Sequence, residues 1–316
     1  SSSFRGSAPQ TPGQASGYSN MSTHPPQQQS EEPAAEQSTD SAATESDHDH
    51  DHAAEPRRDV GDQTDETEHE PDANEDTREI KVFRYDPEVE AKQEPRFDTF
   101  HVPFTKGMTV LDAVIYARDQ FDPSLTFRHS CRQAVCGSDA FFVNGQQRLG
   151  CKTQLSELEE PVRIEPLPHQ DVVKDLVVDM DHFYEEMEAV DPYFDPDETP
   201  DGELEEQRQS RANREKVKMS TRCIWCGACF SSCNIAAGDN EYLGPAALNK
   251  AYRFAMDERE GDGKTQDRLE TIEQEHGVWR CQTQFSCTNV CPKDIPLTEH
   301  IQELKREAVK KNLKFW

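Results

Sequence analysis

From Glu79 the chain alternates apolar and polar residues in EIKVFRY and again in FDTFHVPF, as two strands with one buried face do. The next run, MTVLDAVIYARDQ, changes to helical spacing. Leu111, Val114 and Ile115 make its inner stripe, and Thr109 and Asp112 stand at capping-box separation. AFFVNGQQRLGC then carries Asn-Gly, a two-residue hairpin signal, and VRIEPLP adds one more strand. Strands, one helix and further strands around a cysteine-rich loop predict an α+β domain of the ubiquitin-like roll (β-grasp) type over residues 79–170. At Asp171 the period changes. Val173, Leu176, Val177, Met180, Phe183, Tyr184 and Met187 follow i, i+3, i+4, i+7 spacing, which predicts a helix opening an all-α region over residues 171–316. Within that region DPDETPDGELEEQRQ reads as a polar surface excursion. A helix from Thr298 ends with Arg306, Lys310, Lys311 and Lys314, cations that complement the helix dipole there.

Residues 1–78 hold almost no Leu, Ile or Val and are rich in Ser, Gln, Pro, Asp and Glu. They cannot bury enough surface to offset chain entropy and are expected to form a disordered acidic tail. Asp47 to His52 within it is read as solvated tail rather than a metal site. Residues 1–20 lack any acidic residue, whereas Met21 opens a stretch with the tail's composition, so translation is expected to start at Met21. An apolar share of only 33% agrees with a large unfolded portion. A formal charge of −28 excludes electrostatic nucleic-acid binding, which needs Lys and Arg to neutralise phosphates. Acidic residues continue through the folded part, as expected of a halophile's surface, where high salt screens self-repulsion. Neither a long apolar run nor a classical signal peptide is read in the sequence.

Ten cysteines without a secretion signal point to metal ligands rather than disulfides. Cys223, Cys226, Cys229 and Cys233 follow the C-x2-C-x2-C-x3-C run of bacterial ferredoxins, with Asn234 where proline is usual. In that run the fourth thiolate serves a different cluster. Cys281, Cys287 and Cys291-Pro292 repeat the register, with Gln284 in the second ligand slot. Crossover therefore predicts a 4Fe-4S cluster on Cys223, Cys226, Cys229 and Cys291. Cys233, Cys281 and Cys287 are left as three ligands, and Gln284 cannot replace a thiolate well, so a 3Fe-4S cluster is expected there. Zinc ribbons need four closed ligands per site, and seven cysteines in this order do not divide that way. In CRQAVCGSD, Cys131-x4-Cys136-x2-Asp139, followed by Cys151, matches the plant-type 2Fe-2S spacing with a carboxylate in the third place. Carboxylate oxygen is a competent ligand for ferric iron, so Cys131, Cys136, Asp139 and Cys151 are the expected 2Fe-2S ligands.

With SCRQAVCGSD, CIWCGACFSSC and CTNVCPKDIPLT in this order, the chain from about Glu79 resembles the iron-sulfur subunits of succinate dehydrogenase and fumarate reductase. Some members of that family also carry Asp at the position of Asp139. The resemblance implies a plant-ferredoxin-like domain joined to a helical bacterial-ferredoxin-like domain. It implies electron transfer, as part of the tricarboxylic acid cycle, from an FAD-containing flavoprotein partner that oxidises succinate. The electrons would cross the 2Fe-2S, 4Fe-4S and 3Fe-4S clusters to quinone at a membrane anchor subunit. The subunit would need no catalytic acid, base or nucleophile of its own, and would sit on the cytoplasmic face of the membrane through its partners. The opposite direction, fumarate reduction by quinol, and a free soluble multi-cluster carrier are the alternatives. Gly238 and Gln282 stand where well-known members carry a Trp and a His that line the quinone site, so quinone-binding roles are not carried over.

Overall fold

The computed structural model describes residues 76–90, 93–196 and 206–313. The expected tail, the start at Met21 and most of the polar excursion lie outside the described residues.

Strands β1 (Thr77–Arg84), β2 (Arg96–Pro103), β3 (Ala140–Val143), β4 (Gln146–Leu149) and β5 (Val162–Glu165) form one sheet in the order β2-β1-β5-β3-β4. The pair β1–β5 is parallel, with Ile80 opposite Val162, and the other pairs are antiparallel. One helix, α1 (Val110–Gln120), packs on the sheet. The expected capping box closes it: Asp112 N–H donates to Thr109 Oγ1 at 3.2 Å and Thr109 N–H to Asp112 Oδ2 at 3.0 Å. Its buried face is wider than the expected stripe. Val110, Ala113 and Ala117 join Leu111 and Val114, while Ile115 stays half-buried. Asn144 and Gly145, with φ of 46° and 81°, make the tight turn between β3 and β4.

The helix expected from Asp171 does not start there. Residues Val172–Lys174 (β6) and Val177–Val178 (β7) form a two-stranded antiparallel ribbon, and the helix α2 covers only Asp181–Glu188. Asp175, at φ 46°, turns the ribbon, and its carboxylate accepts from Tyr85 N–H at 3.0 Å and Thr126 N–H at 2.9 Å. Arg84, 2% exposed, clamps the same carboxylate at 3.1 Å while also reaching Asp122 at 2.6 Å and Asp98 at 3.0 Å. Leu176 is consequently part of the first core, beside Ile80, Val114 and Ile164.

From Asp181 to Leu313 the described residues hold helices and no strand. They are α3 (Arg211–Val217), α4 (Ala228–Ser231), α5 (Asn234–Gly238), α6 (Gly244–Ala255), α7 (Asp262–Glu273), α8 (Ser286–Asn289) and α9 (Leu297–Leu313), besides α2. Helix α6 is the centre of this half, burying Ala246, Ala247, Leu248, Ala251 and Tyr252 among α2, α4, α7 and α9. A third apolar cluster joins the halves: Ala140, Leu149, Leu167 and Val178 pack with Met180, Ile224 and Cys226. Among the described residues no helix is long and apolar enough to cross a membrane.

Candidate metal centres

All ten cysteines are free thiols, each partly buried. Among the described residues no three His, Cys, Asp or Glu side chains close on a single-ion site; the thiols instead gather in one loop and around two cavities.

The loop between α1 and β3 curls through Arg132, Ala134 and Gly137 at positive φ, so that successive N–H groups face sulfur. Cys131 Sγ accepts from the N–H groups of Gln133 (3.4 Å), Val135 (3.3 Å) and Cys136 (3.2 Å). Those bonds favour the thiolate and bring its pKa down to about 7. Ala134 N–H donates to Cys151 Sγ at 3.3 Å, and Ser138 Oγ lies 3.1 Å from Cys136 Sγ. Asp139 is 1% exposed; its Oδ2 accepts from Cys151 N–H at 2.5 Å, while its Oδ1 is buried with no hydrogen-bond donor. Burial, reinforced by the adjacent Asp139 carboxylate, pushes the Cys151 thiol up to about 12. A buried acceptor without a donor, set among thiols, fits a residue that holds a cation. Cys131, Cys136, Asp139 and Cys151 are thus brought together, and the donor set suits iron.

In the helical half a local chain path occurs twice. A short 3-10 turn, Ser220–Arg222, leads into Cys223; Trp225 and Gly227 take positive φ of 57° and 75°, and α4 follows. Another such turn, Val278–Arg280, leads into Cys281; Thr283 and Phe285 take φ of 60° and 63°, and α8 follows. The repeat puts Gln284 in the backbone position of Cys226. One cavity is lined by Cys223, Cys226, Cys229 and Cys291 with Phe183, Ala246, Ile295 and Leu297. A second is lined by Cys233, Cys281 and Cys287 with Gln284, Tyr242, Phe285 and Thr298. The structure thus brings Cys223, Cys226, Cys229 and Cys291 to one cavity, and Cys233, Cys281 and Cys287 to the other. Burial pushes Cys226 up to about 12 and also raises Cys223, Cys229 and Cys287.

Several side chains that the spacing did not single out serve these cavities. The buried Tyr242 phenol borders the cavity of Cys233, Cys281 and Cys287, and burial beside these thiols holds its pKa far above that of free tyrosine. The Lys250 ammonium lies 5.0 Å over the Trp225 ring and near Cys223, and burial lowers its pKa. Cys287 Sγ is 3.6 Å from Thr298 Oγ1. The first two groups of thiols also adjoin one another. A Cβ on Gly137 would stand 2.8 Å from Cys226 Cβ, and Lys152 Nζ donates to Pro292 O at 2.8 Å. Gln282 is exposed at the rim of the third group's cavity, and a Cβ on Gly238 would meet nothing within 4 Å.

The family model described as 2Fe-2S iron-sulfur cluster binding domain matches residues 79–185, and the one described as 4Fe-4S dicluster domain matches residues 219–295. The fumarate reductase iron-sulfur subunit of Haemophilus influenzae is 38% identical over 75% of this chain and 95% of its own length. The succinate dehydrogenase iron-sulfur subunit of Paracoccus denitrificans is 39% identical over 76% of this chain and 91% of its own. Among solved structures, a chain of the Mycobacterium smegmatis Sdh1 complex in the apo form superposes with a TM-score of 0.65 at 26% identity. That likeness covers 75% of this chain and 97% of the other.

Proposed function

The chain belongs to the family of iron-sulfur subunits of succinate dehydrogenases and fumarate reductases, and we propose that it relays electrons between a flavoprotein subunit and a membrane quinone. The physiological direction in this reading is succinate oxidation, with fumarate reduction the alternative because relatives of both names align equally well. Cys131, Cys136, Asp139 and Cys151 hold a 2Fe-2S cluster; Cys223, Cys226, Cys229 and Cys291 hold a 4Fe-4S cluster; Cys233, Cys281 and Cys287 hold a 3Fe-4S cluster. Bound clusters of these kinds take up and release electrons one at a time. The observation that carries the reading is the division of seven thiols between two cavities, four in one and three with Gln284 in the other.

What the chain's own groups contribute is ligation, burial and hydrogen bonding to sulfur, the protein's means of setting a cluster's potential. Backbone N–H groups converge on Cys131, leaving that sulfur in a polar, exposed setting. Cys229 lies in an apolar one, where charge is less welcome. The complex in this proposal attaches peripherally to the cytoplasmic face of the membrane through an anchor subunit.

Metal analysis and EPR of the purified complex test the reading. Oxidised protein is expected to show the signal of a 3Fe-4S centre, which an oxidised 4Fe-4S centre lacks, and Gln284→Cys is expected to abolish it by admitting a fourth iron. Wild-type protein without that signal would refute the three-thiolate assignment. If Gln284→Cys retained it in full, a steric wall rather than the missing thiolate would exclude the fourth iron.

A further inference from the structure

Helix α8 and the first turn of α9 meet through two threonine side chains. Thr298 N–H donates to Thr288 Oγ1 at 3.0 Å, and the two hydroxyl oxygens are 2.9 Å apart. Thr298 Oγ1 is in turn 3.6 Å from Cys287 Sγ, within reach for a hydrogen bond to sulfur, and Thr298 is 2% exposed. These contacts have a direction. The Cys287 sulfur as a thiolate is an acceptor only, so the Thr298 hydroxyl donates to it. With its single hydrogen spent there, Thr298 Oγ1 accepts from the Thr288 hydroxyl.

We infer that the Thr288–Thr298 hydroxyl pair positions a hydrogen bond on Cys287 and so sets the reduction potential of the centre held by Cys233, Cys281 and Cys287. The inference rests on the three-thiolate reading of that centre. A donor to a ligand sulfur stabilises the more negative, reduced state, and so raises the potential. Successive donors polarise one another, so the backbone N–H at the start of α9 strengthens the last link. Among the described residues the lining of the second group's cavity holds no serine or threonine, whereas Thr298 borders the cavity of the third group. The effect is therefore confined to one centre of three, which gives the experiment an internal reference.

Thr298→Val keeps the branched shape and the backbone N–H while removing the hydroxyl. In the purified complex, potentiometric titration followed by EPR is expected to show the third centre's reduction equilibrium weakened about tenfold, 59 mV lower for a one-electron couple. The first and second centres keep their potentials. Thr298→Ser restores the wild-type value, and Thr288→Val lowers it by less than Thr298→Val, because Thr298 keeps its own hydroxyl. Should Thr298→Val fail to assemble, Thr288→Val carries the test alone through the same titration. Two results overturn the inference while leaving the centre's identity intact: an unshifted potential in every variant with the 3Fe-4S signal present, or a Thr298→Ser variant that shifts as far as valine. A wild-type complex lacking the 3Fe-4S signal overturns the underlying reading and the inference with it.

Discussion

Replacing Gly137 with alanine probes how tightly the first two groups of thiols are held together. The added methyl would lie 2.8 Å from Cys226 Cβ and 2.9 Å from the carbonyl oxygen of Ile224. Carbon atoms at optimal contact stand about 3.5–4.0 Å apart, so one loop must retreat by roughly 1 Å. Crowding of this kind costs about 1–3 kcal/mol. Gly137 also sits at φ +73°, a conformation that costs an L-residue about 1–2 kcal/mol, and the two together come to about 2–5 kcal/mol. Gly145 separates them. It has φ +81° with nothing within 4 Å of an added Cβ, so Gly145→Ala carries the backbone cost alone. Thermal unfolding of the two variants is expected to place Gly137→Ala below Gly145→Ala by the crowding difference. In the fully reduced complex, the magnetic interaction between the first and second centres, which falls steeply with separation, should weaken in Gly137→Ala only. Equal stabilities and an unchanged interaction would refute the claim that the two loops touch through this residue.

Asp139→Ala is expected to lower the occupancy of the 2Fe-2S centre while the other two assemble normally, and Asp139→Cys to restore it; iron and sulfide analysis with EPR reads both, and full occupancy in the alanine variant would show that Asp139 only caps the loop. Arg84→Met leaves Asp175, 2% exposed, without its cation, and removing one partner of a buried pair costs about 3–5 kcal/mol; a thermal midpoint unchanged from wild type would contradict that. The His300 imidazole, stacked 4.0 Å from the Tyr252 ring with Nδ1 2.8 Å from Asn249 Oδ1, is held down to about 4 by burial. Its folded pKa is depressed below the unfolded 6.5, so its contribution to stability is complete above pH 6.5 and is lost as the pH falls toward 4. His300→Gln should flatten the stability profile across that window in denaturant titrations, and an unaltered slope would count against it.

The parts of this protein that were legible in the sequence are those that a few consecutive residues decide. Thr109 with Asp112 fixes a helix start, Asn144-Gly145 fixes a turn, and the spacing of the cysteines fixes which thiols share a cavity. The ribbon of β6 and β7 was not legible for the opposite reason. VVKDLVV satisfies helical spacing, and what overrides it is Asp175, whose carboxylate is taken by Arg84, Tyr85 and Thr126, far away in the chain. Short apolar runs are ambiguous by period alone, and here the long-range hydrogen bonds decide. The second occurrence of the thiol-bearing path was legible in its cysteine register but not in its local backbone preference. Where the first has Gly227, a residue that takes positive φ freely, the second has Phe285 at φ 63°, half exposed. Such a conformation for a bulky side chain persists only where the surroundings over-determine it. They do so here through α8, whose Asn289 N–H donates to Phe285 O at 3.0 Å, and through Cys281 and Cys287, which border the same cavity on either side. The cysteine register, rather than the local preference of Phe285, therefore dictates its backbone, and this is why the chain path repeats although Gly227 and Phe285 differ so widely in side chain.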